Sequence, residues 1–228
     1  MRTVIYTAIF GGYDRLREIP LEIQQEETTE DVSWICFTDD PTLRSNTWKV
    51  QHCLMHIGSR VKHVGSRVMI AKEIKVLSHD LYFNYYDRSI WIDGSFSVHG
   101  PLWNWFDQIG TNDIGLFRHT CRKCLYREIE ACQQKDKDHP DVLEAAKLHY
   151  LELGHPPNWG LWMGGILLRQ HNVNVESFNE SWWNEIESGT SRDQISLPFV
   201  LRKTGINFHS FPTGSWRDCL QLHGHLKK

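Results

Sequence analysis

The chain has 228 residues and a formal net charge of −3, so it is long enough to bury a substantial core and too weakly charged for its whole surface to bind nucleic acid. Aromatic residues make up 12% of it and include ten tryptophans, which exceeds the need of a small core and favours flat apolar faces that stack on ring-shaped ligands. Six cysteines in a chain of this length do not predict a dense disulfide framework and favour a reducing compartment.

The first element predicted is a buried strand followed by a ligand-binding loop. Residues 3–10 are almost continuously apolar, which is typical of a strand covered on both faces in a parallel sheet. Phe10, Gly11 and a second glycine can fold tightly over a planar ligand, or they can form a simple turn. Tyr13 and Asp14 can stack on and hydrogen-bond a base. The segment is too short to span a membrane and has no small-residue cleavage site, so we expect a cytoplasmic protein.

A second strand is predicted at residues 32–37, where an apolar run stops at Thr38, Asp39 and Asp40. A carboxylate pair at the end of a strand can bind a ligand hydroxyl, or it can simply shape the turn before the following proline. A third strand is predicted at residues 48–54.

An amphipathic and basic helix is predicted at residues 60–77. Its cations are unusual in an acidic protein, and Arg67 and Lys72 fit a side of the helix that faces phosphate. For Lys62 and Lys75 we expect a solvated face instead.

The centre of the chain carries an apolar run at residues 90–92 that stops abruptly at Asp93 and Gly94. Such a run predicts a short buried strand, and open α/β sheets bind ligands at the carboxyl ends of their strands. The Asp93 carboxylate can bind a hard divalent cation or a sugar hydroxyl, and Gly94 leaves room for close approach to the backbone. The alternative is an aspartate that only caps the next turn.

The second half of the chain alternates strands and helices, which favours an α/β domain. Strands are predicted at residues 113–119, 166–169 and 206–211, and helices at residues 121–134, 140–153, 175–187 and 195–203. Cys121 and Cys124 are spaced like half of a zinc site, with His119 nearby. No second Cys or His pair follows at the usual spacing, so we do not expect a structural zinc site.

Two further stretches carry candidate functional groups. Gly164 and Gly165 precede the apolar run at residues 166–169 and permit close approach of a ligand to the backbone. Asp193 and Gln194 lie at the start of a predicted helix, where the macrodipole stabilises an ionised carboxylate. An N-cap is the alternative role for Asp193, and both roles can coexist.

Five motifs follow one another along the chain. They are Phe-Gly-Gly-Tyr-Asp, Trp-Ile-Cys-Phe-Thr-Asp-Asp-Pro, Ile-Trp-Ile-Asp-Gly-Ser, Gly-Gly-Ile-Leu-Leu-Arg and Arg-Asp-Gln-Ile-Ser-Leu-Pro. In this order and at these spacings they resemble the motifs of GT-A-fold glycosyltransferases. The chain is most similar to the glycosyltransferase-like family once described as a domain of unknown function, with plant wall-related and bacterial members. The resemblance covers essentially the whole chain.

The resemblance implies a single GT-A-like, Rossmann-like α/β domain with a mostly parallel central sheet flanked by helices. Residues 1–100 would form the donor half, and residues 101–228 the acceptor half and the C-terminal tail. The implied activity is transfer of a sugar from a nucleoside-diphosphate donor, preferably a UDP-sugar, to a hydroxyl of a saccharide or glycolipid, as in polysaccharide biosynthesis. Nucleic acid is not an implied partner, and no membrane span is expected, although peripheral association with a membrane is compatible with a glycolipid acceptor.

Site residues follow from the family's motifs. Those implied to bind the nucleotide sugar are Phe10, Gly11, Tyr13, Asp14, Thr38, Asp39, Arg67, Lys72, Asp93 and Lys227. Those implied to border the acceptor are Trp159, Trp162, Gly164, Gly165 and Arg192. Asp193 and Gln194 are implied to be catalytic. Asp193 would act as a general base if the enzyme inverts and as an electrostatic stabiliser if it retains configuration.

The family's metal motif is incomplete in this sequence. Asp93 matches the first acid of the Asp-x-Asp motif, whereas Ser95 stands where the second acid is usual. His223 or His225 resembles the tail histidine that completes the metal shell in many such enzymes. The resemblance therefore implies a Mn²⁺ or Mg²⁺ ion that binds weakly to the free protein and more tightly when nucleotide supplies phosphate oxygens.

Two other classes of protein remain open. A non-catalytic carbohydrate-binding module would use the tryptophan faces, but it has no need for a basic helix or for carboxylates at several strand ends. A sugar-nucleotide nucleotidyltransferase would share the sheet, but the first strand is not followed by a Gly-rich, Lys/Arg-bearing phosphate loop. Release of nucleoside diphosphate from a sugar nucleotide distinguishes a transferase from both.

Overall fold

A computed structural model describes residues 1–26, 31–53 and 66–226. The strands are β1 (Arg2–Ile9), β2 (Asp31–Thr38), β3 (Lys49–His52), β4 (Arg88–Ile92), β5 (Phe96–Val98), β6 (Ile114–Arg118), β7 (Trp162–Gln170), β8 (Phe208–Phe211) and β9 (Leu220–Leu222). The helices are α1 (Leu21–Glu26), α2 (Arg67–Val76), α3 (Ser78–Tyr82), α4 (Trp105–Ile109), α5 (Leu125–Gln134), α6 (Pro140–Glu152), α7 (Val173–Ser188) and α8 (Asp193–Thr204).

Seven of the strands form one sheet, in the order β3-β2-β1-β4-β7-β6-β8. β1 is parallel to β2 and β4, β2 is parallel to β3, and β6 is parallel to β8, while β7 is antiparallel to both of its neighbours. The sheet is therefore mostly parallel, which confirms the predicted single α/β domain. The sheet includes strands from both predicted halves of the chain. The assignment of donor binding to the first half and acceptor binding to the second stays a prediction.

The parallel pairing brings several chain ends to one edge of the sheet. The carboxyl ends of β1, β2 and β4 lie there, at Ile9, Thr38 and Ile92. Because β7 runs in the opposite direction, its first residues reach the same edge, and Ile92 pairs with Ile166. Residues far apart in sequence thus meet around the end of β4.

Both faces of the sheet are covered. Val4 and Tyr6 of β1 belong to one buried apolar cluster, together with residues of α2, α5, α6, α7 and α8. Ile5 and Ile9 belong to a second cluster, with residues of α1 and α4. Successive side chains of a strand point to opposite faces, so a strand buried on both sides is continuously apolar. This explains the apolar run predicted as the first strand.

Two element boundaries differ from the prediction for identifiable reasons. Helix α5 begins at Leu125 rather than at residue 121, because the backbone N–H groups of Cys121 and Arg122 donate to His119 Nδ1 and form a turn. The glycine pair Gly164 and Gly165 lies inside β7 and not before a strand, because β7 already begins at Trp162.

The basic helix is partly outside the described residues. Its described part is α2, which begins at Arg67 after Ser66. The Ser66 hydroxyl accepts the Met69 backbone N–H at 3.3 Å and caps the helix. Residues 60–65 of the predicted helix, including Lys62, and residue 54 of the predicted third strand lie outside the described residues.

The C-terminal tail returns to the edge of the sheet that holds the end of β4. β9 pairs antiparallel with β5, and together they form a small second sheet that the sequence did not predict. This pairing carries residues 223–226 back toward the loop after β1. Among the described residues, no helix combines the length and apolar character that a membrane span requires.

Candidate active site

The candidate active site lies where the carboxyl ends of β1, β2 and β4 meet the start of β7 and of α8. Asp93 is the first residue after β4, and its backbone N–H donates to the Gly165 carbonyl of β7 at 2.9 Å. Trp91, two residues earlier on β4, donates its indole N–H to Asp93 Oδ1 at 2.7 Å. These contacts fix the Asp93 carboxylate at the edge where open α/β sheets bind ligands.

Asp93 belongs to a group of four charged residues, Asp93, Asp193, Lys72 and Lys75, which we call the carboxylate–lysine cluster. Lys72 Nζ lies 2.7 Å from Asp193 Oδ1, and Lys75 Nζ lies 2.5 Å from Asp193 Oδ2. Lys75 Nζ also lies 3.5 Å from Asp93 Oδ1. The two lysines are three residues apart on α2 and therefore share one face of that helix. One helix thus supplies both cations to carboxylates from two other parts of the chain.

Burial makes these charges depend on one another. The side chain of Lys75 is 2% exposed and that of Asp193 is 6% exposed, whereas that of Asp93 is 41% exposed. Buried charges are tolerated when they are paired. Burial alone would raise the pKa of Asp193, but the charges of Lys72 and Lys75 outweigh it and hold that pKa well below its ordinary value.

The ammonium of Lys75 is stabilised in the same way. Burial alone would lower the pKa of Lys75, but the charges of Asp193 and Asp93 raise it above its ordinary value. Asp193 and Lys75 are therefore both charged at neutral pH. The expectation that Lys75 lies on a solvated face is wrong, because this pairing makes its burial possible.

Asp193 is held by these pairs and not by helix capping. It is the first residue of α8, and the cap position belongs to Arg192, which makes no side-chain capping hydrogen bond. The backbone carbonyl of Asp193 accepts the indole N–H of Trp182 at 3.2 Å. A carboxylate with so low a pKa is a poor proton acceptor near neutral pH. The geometry therefore favours a fixed negative charge over a general base.

The glycine pair of β7 allows the carboxylates to approach the backbone. A Cβ atom at Gly164 would lie 3.1 Å from Asp193 Oδ2, and one at Gly165 would lie 3.0 Å from Asp93 Oδ2. Gln194 joins α8 to the same strand, since its Oε1 accepts the Gly164 backbone N–H at 3.3 Å. The close approach predicted for a ligand is thus made, at both glycines, by side chains of the protein itself.

Three of the predicted donor-binding residues contact one another: Gly11, Asp39 and Arg67. Asp39 Oδ1 accepts the Gly11 backbone N–H at 2.8 Å, and Asp39 Oδ2 lies 2.7 Å from Arg67 Nε. Gly11 has a φ of +64°, and a Cβ atom there would lie 3.0 Å from Arg67 Cδ. The loop after β1, the end of β2 and the start of α2 are therefore joined, and the Arg67 side chain stays largely exposed.

Most of the other predicted donor-binding residues are buried or already contact another part of the protein. Phe10 is buried in the core, and Thr38 is buried with its hydroxyl accepting the Asp40 backbone N–H at 3.1 Å. Lys72 was predicted to face phosphate, and the structure places its ammonium on Asp193. Tyr13 is exposed, and its ring lies against that of His225.

The tail packs against the loop after β1. His225 Nδ1 lies 2.7 Å from Asp14 Oδ1, and the rings of His225 and Tyr13 are 4.4 Å apart. A Cβ atom at Gly94 would lie 3.2 Å from Asp14 Cβ, so this contact lies beside the end of β4. The tail thereby borders the site. Lys227, predicted to bind phosphate, lies outside the described residues.

The predicted metal ligands do not converge. His223 Nε2 lies 2.8 Å from Ser97 Oγ, and His225 contacts Asp14. Asp93 Oδ1 accepts the Trp91 indole and faces the Lys75 ammonium. Within residues 1–26, 31–53 and 66–226, no three His, Cys, Asp or Glu side chains are grouped as a metal site requires. These residues do not fit a resident metal ion, and the weak Mn²⁺ or Mg²⁺ site stays a prediction.

The predicted acceptor side is only partly open. Trp162 is buried, and its indole N–H donates to Ser210 Oγ at 2.9 Å. Trp159 is half-buried with its ring 5.5 Å from that of Trp162. Arg192 is half-buried and lies near Cys132 of α5. Of the two tryptophan rings, that of Trp159 is the more accessible.

Sequence reasoning missed Arg17 and Trp91. Arg17 is half-buried, and its Nη1 donates to the Gly94 carbonyl at 3.3 Å. No local pattern indicated this contact, because it joins positions 77 residues apart. Trp91 was detectable, since residues two apart on a strand share a face and Asp93 follows it by two.

A comparison with protein families agrees with the resemblance of the motifs. A family model described as TOD1/MUCI70, glycosyltransferase-like domain, matches residues 1–225. Among solved structures, the apo structure of the bifunctional glycosyltransferase WbbM is similar with a TM-score of 0.47 and 10% sequence identity. The match covers 92% of this chain and 38% of that one, so this chain spans well under half of that protein. A comparison with curated proteins gave no match.

Proposed function

Since the chain belongs to the TOD1/MUCI70 glycosyltransferase-like domain family, we propose that it transfers a sugar from a nucleoside-diphosphate donor, a UDP-sugar, to a hydroxyl of a saccharide or glycolipid. The observation that carries this proposal is the carboxylate–lysine cluster, which places a half-exposed acid beside fixed cations at the carboxyl edge of β1, β2 and β4. This edge is where sheets of this topology bind nucleotides.

The donor would lie along the loops that follow β1 and β2. Tyr13 offers an exposed ring to the base. Asp39 and Asp14 are the carboxylates in reach of ribose hydroxyls, although Asp39 already binds the Gly11 N–H and Arg67, and Asp14 binds His225. A diphosphate placed beside Gly94 would meet the Arg17 guanidinium, and bidentate guanidinium contacts suit phosphate.

Asp93 and Asp193 would have different roles in transfer. Asp93 is the member of the cluster with an exposed carboxylate, so it is the acid that substrate can touch. Asp193 is buried and would act through Lys72 and Lys75, which it positions and whose charge it balances. A fixed arrangement of charges next to the reacting centre stabilises charge that develops in the transition state.

The tryptophans do not favour a non-catalytic carbohydrate-binding module. Nine of the ten are buried, and Trp159 is half-buried. The aromatic excess in the sequence therefore belongs mainly to the core. A sugar-binding surface would need several exposed rings.

The proposal is tested by incubating the protein with a panel of sugar nucleotides, with and without Mn²⁺ and candidate acceptors, and measuring release of nucleoside diphosphate. We expect release from at least one UDP-sugar. Asp93→Asn should lower the rate at least about a hundredfold, because a positioned acid contributes this much or more. Asp141→Asn is the matched control, since that side chain is 93% exposed and makes no contact with the carboxylate–lysine cluster.

Three results would contradict the proposal. One is the absence of nucleoside-diphosphate release from every donor under every condition. Another is release only of pyrophosphate from a nucleoside triphosphate and a sugar phosphate, which is nucleotidyltransferase chemistry. The third is saccharide binding with no turnover of any donor.

A further inference from the structure

Lys75 occupies an unusual place for a lysine. Its ammonium lies between two carboxylates, 2.5 Å from Asp193 Oδ2 and 3.5 Å from Asp93 Oδ1. It also lies 5.6 Å from the centre of the Trp91 ring, which is within the range of a cation–π contact. Only 2% of the side chain is exposed. The cation is therefore fixed by its surroundings and does not sample solvent.

This ammonium lies close enough to Asp93 to repel a metal ion bound to that carboxylate. A divalent ion bound to Asp93 Oδ1 at about 2.0–2.6 Å would lie within about 6 Å of Lys75 Nζ. The same oxygen already accepts the Trp91 indole N–H. The other oxygen, Oδ2, lies against the backbone of β7, where Gly165 leaves it space. Both carboxylate oxygens are thus engaged or flanked by the protein.

The residue at the second position of the metal motif, Ser95, is a poor ligand for a metal ion. Ser95 is buried, and its carbonyl accepts the His223 backbone N–H at 2.9 Å. A serine hydroxyl brings no negative charge, so the acids next to the end of β4 are Asp93, Asp14, which pairs with His225, and, across the cluster, Asp193. Asp93 and Asp193 each lie within ion-pair distance of Lys75, and Asp193 also pairs with Lys72, so each carboxylate of the cluster has a cation partner.

Positive charge beside the proposed diphosphate comes from side chains, two of which, Arg67 and Lys72, are also paired with Asp39 and Asp193. Arg17 donates to the Gly94 carbonyl at the end of β4. Arg67 is exposed beside Gly11, on the loop after β1. Lys72 is 17% exposed and extends from the same helix as Lys75. These cations come from two parts of the chain, the loop after β1 and helix α2, and lie at the edge where the donor is proposed to bind.

We propose that the buried ammonium of Lys75 takes the place of a divalent metal ion beside Asp93, so that the donor diphosphate binds to side-chain cations without metal. This inference rests on the proposed function, because it concerns the donor of that reaction. It assigns Lys75 a positioning role: it holds Asp93 and Asp193 at a fixed distance and supplies the positive charge between them.

The first test is calorimetric titration of the wild-type protein with UDP, once in EDTA and once in Mn²⁺. We expect UDP to bind with the same dissociation constant, within threefold, in both buffers. Binding that is present in Mn²⁺ and lost in EDTA would overturn the inference while leaving the proposed transferase intact. Absence of UDP binding in both buffers would overturn the proposed function and this inference with it.

The second test uses Lys75→Met and the matched variant Lys72→Met, titrated with Mn²⁺ alone. Lys75→Met leaves Asp93 and Asp193 without the cation between them, so we expect Mn²⁺ to bind with a dissociation constant on the order of 10⁻⁴–10⁻³ M, the weak end for carboxylate sites. Lys72→Met removes the same charge from the same helix but leaves Lys75 in place, so it should bind no Mn²⁺ in that range, as in the wild type. Equal Mn²⁺ affinity in wild type and a folded Lys75→Met would overturn the inference. Should Lys75→Met not fold, the wild-type UDP titration decides the question by itself.

Discussion

Asp193 has two ion pairs inside the protein, so its substitution by asparagine affects stability and activity together. Asp193→Asn removes the charge that Lys72 and Lys75 share and leaves two ammonium groups partly or wholly buried. Breaking a buried pair costs about 3–5 kcal/mol, and we expect the free energy of unfolding in urea to fall by about that much. The rate of nucleoside-diphosphate release should fall as well, because the lysines lose the group that positions them.

Asp141→Asn again serves as the control. Because the Asp141 side chain is exposed, this substitution should change neither the free energy of unfolding nor the rate of nucleoside-diphosphate release. An Asp193→Asn protein as stable as the wild type would show that Asp193 is not the anchor of the cluster. From the sequence alone, a helix-capping role predicted only a small loss of stability, because asparagine caps a helix about as well as aspartate.

The same pairs predict a loss of stability in acid. The folded-state pKa of Asp193 is lowered relative to its unfolded-state value near 3.9. Its contribution to stability is therefore fully present above that unfolded value and is lost as the pH falls toward the folded-state pKa. Between about pH 5 and pH 2, the unfolding free energy of the wild type should decrease more steeply than that of Asp193→Asn. Parallel decreases would contradict this account, because all other acids are common to both proteins.

Among the elements, α2 contributes most to the site, because it carries Arg67, Lys72 and Lys75. Its first turn is capped by Ser66, whose hydroxyl accepts the Met69 backbone N–H. Ser66→Ala should lower the unfolding free energy by about 0.5–2 kcal/mol, the usual cost of losing an N-cap. It should also weaken UDP binding, since the start of α2 holds Arg67 beside the loop after β1.

Ser66→Asp is the matched control, because aspartate also caps helices and should restore stability. Thermal or urea unfolding measures the first effect and calorimetry the second. If Ser66→Ala lowers stability but leaves UDP affinity unchanged, Arg67 does not contact the donor.

For the whole molecule, the tail is the segment that borders the candidate site from outside the seven-stranded sheet. β9 pairs with β5, and beyond it His225 contacts Asp14 and Tyr13. His225→Ala should weaken UDP binding by about 0.5–1.5 kcal/mol, the net worth of a typical hydrogen bond, because the loop after β1 loses its support. The free energy of unfolding should change little, since the His225 side chain is 42% exposed.

His139→Ala provides the control, because His139 is 68% exposed and belongs to the cap of α6. Calorimetric titration with UDP measures the effect. Equal UDP affinity in His225→Ala and the wild type would exclude the tail from the donor site.

Local patterns were sufficient for most elements and for the position of the acids at one edge of the sheet. The apolar runs at β1, β2 and β4 predicted strands, since burial on both faces of a parallel sheet leaves no polar alternation. The acids that follow β2 and β4 predicted a site at the carboxyl edge, because parallel strands end on the same side of a sheet. Asp93 and Asp39 do lie there.

The partners of each charge could not be predicted from such patterns. Lys75 resembles a surface lysine in sequence, and its burial depends on Asp193, which is 118 positions further along the chain. Arg17 reaches Gly94 across a gap of 77 positions. Contacts of this kind have no local signal, because they depend on how distant elements pack, such as α2 against β1 and α7, and α8 against β7.

The sequence by itself therefore determined the class of fold, the family and the edge of the sheet at which the acids gather, because hydrophobic periodicity and motif order are local properties. Only the tertiary structure decided that Lys75 lies between Asp93 and Asp193, that Gly164 and Gly165 make room for those carboxylates, and that the tail histidines separate. The physical reason is that a buried charge is stable only beside its counter-charge, and which counter-charge is near is set by how distant elements pack.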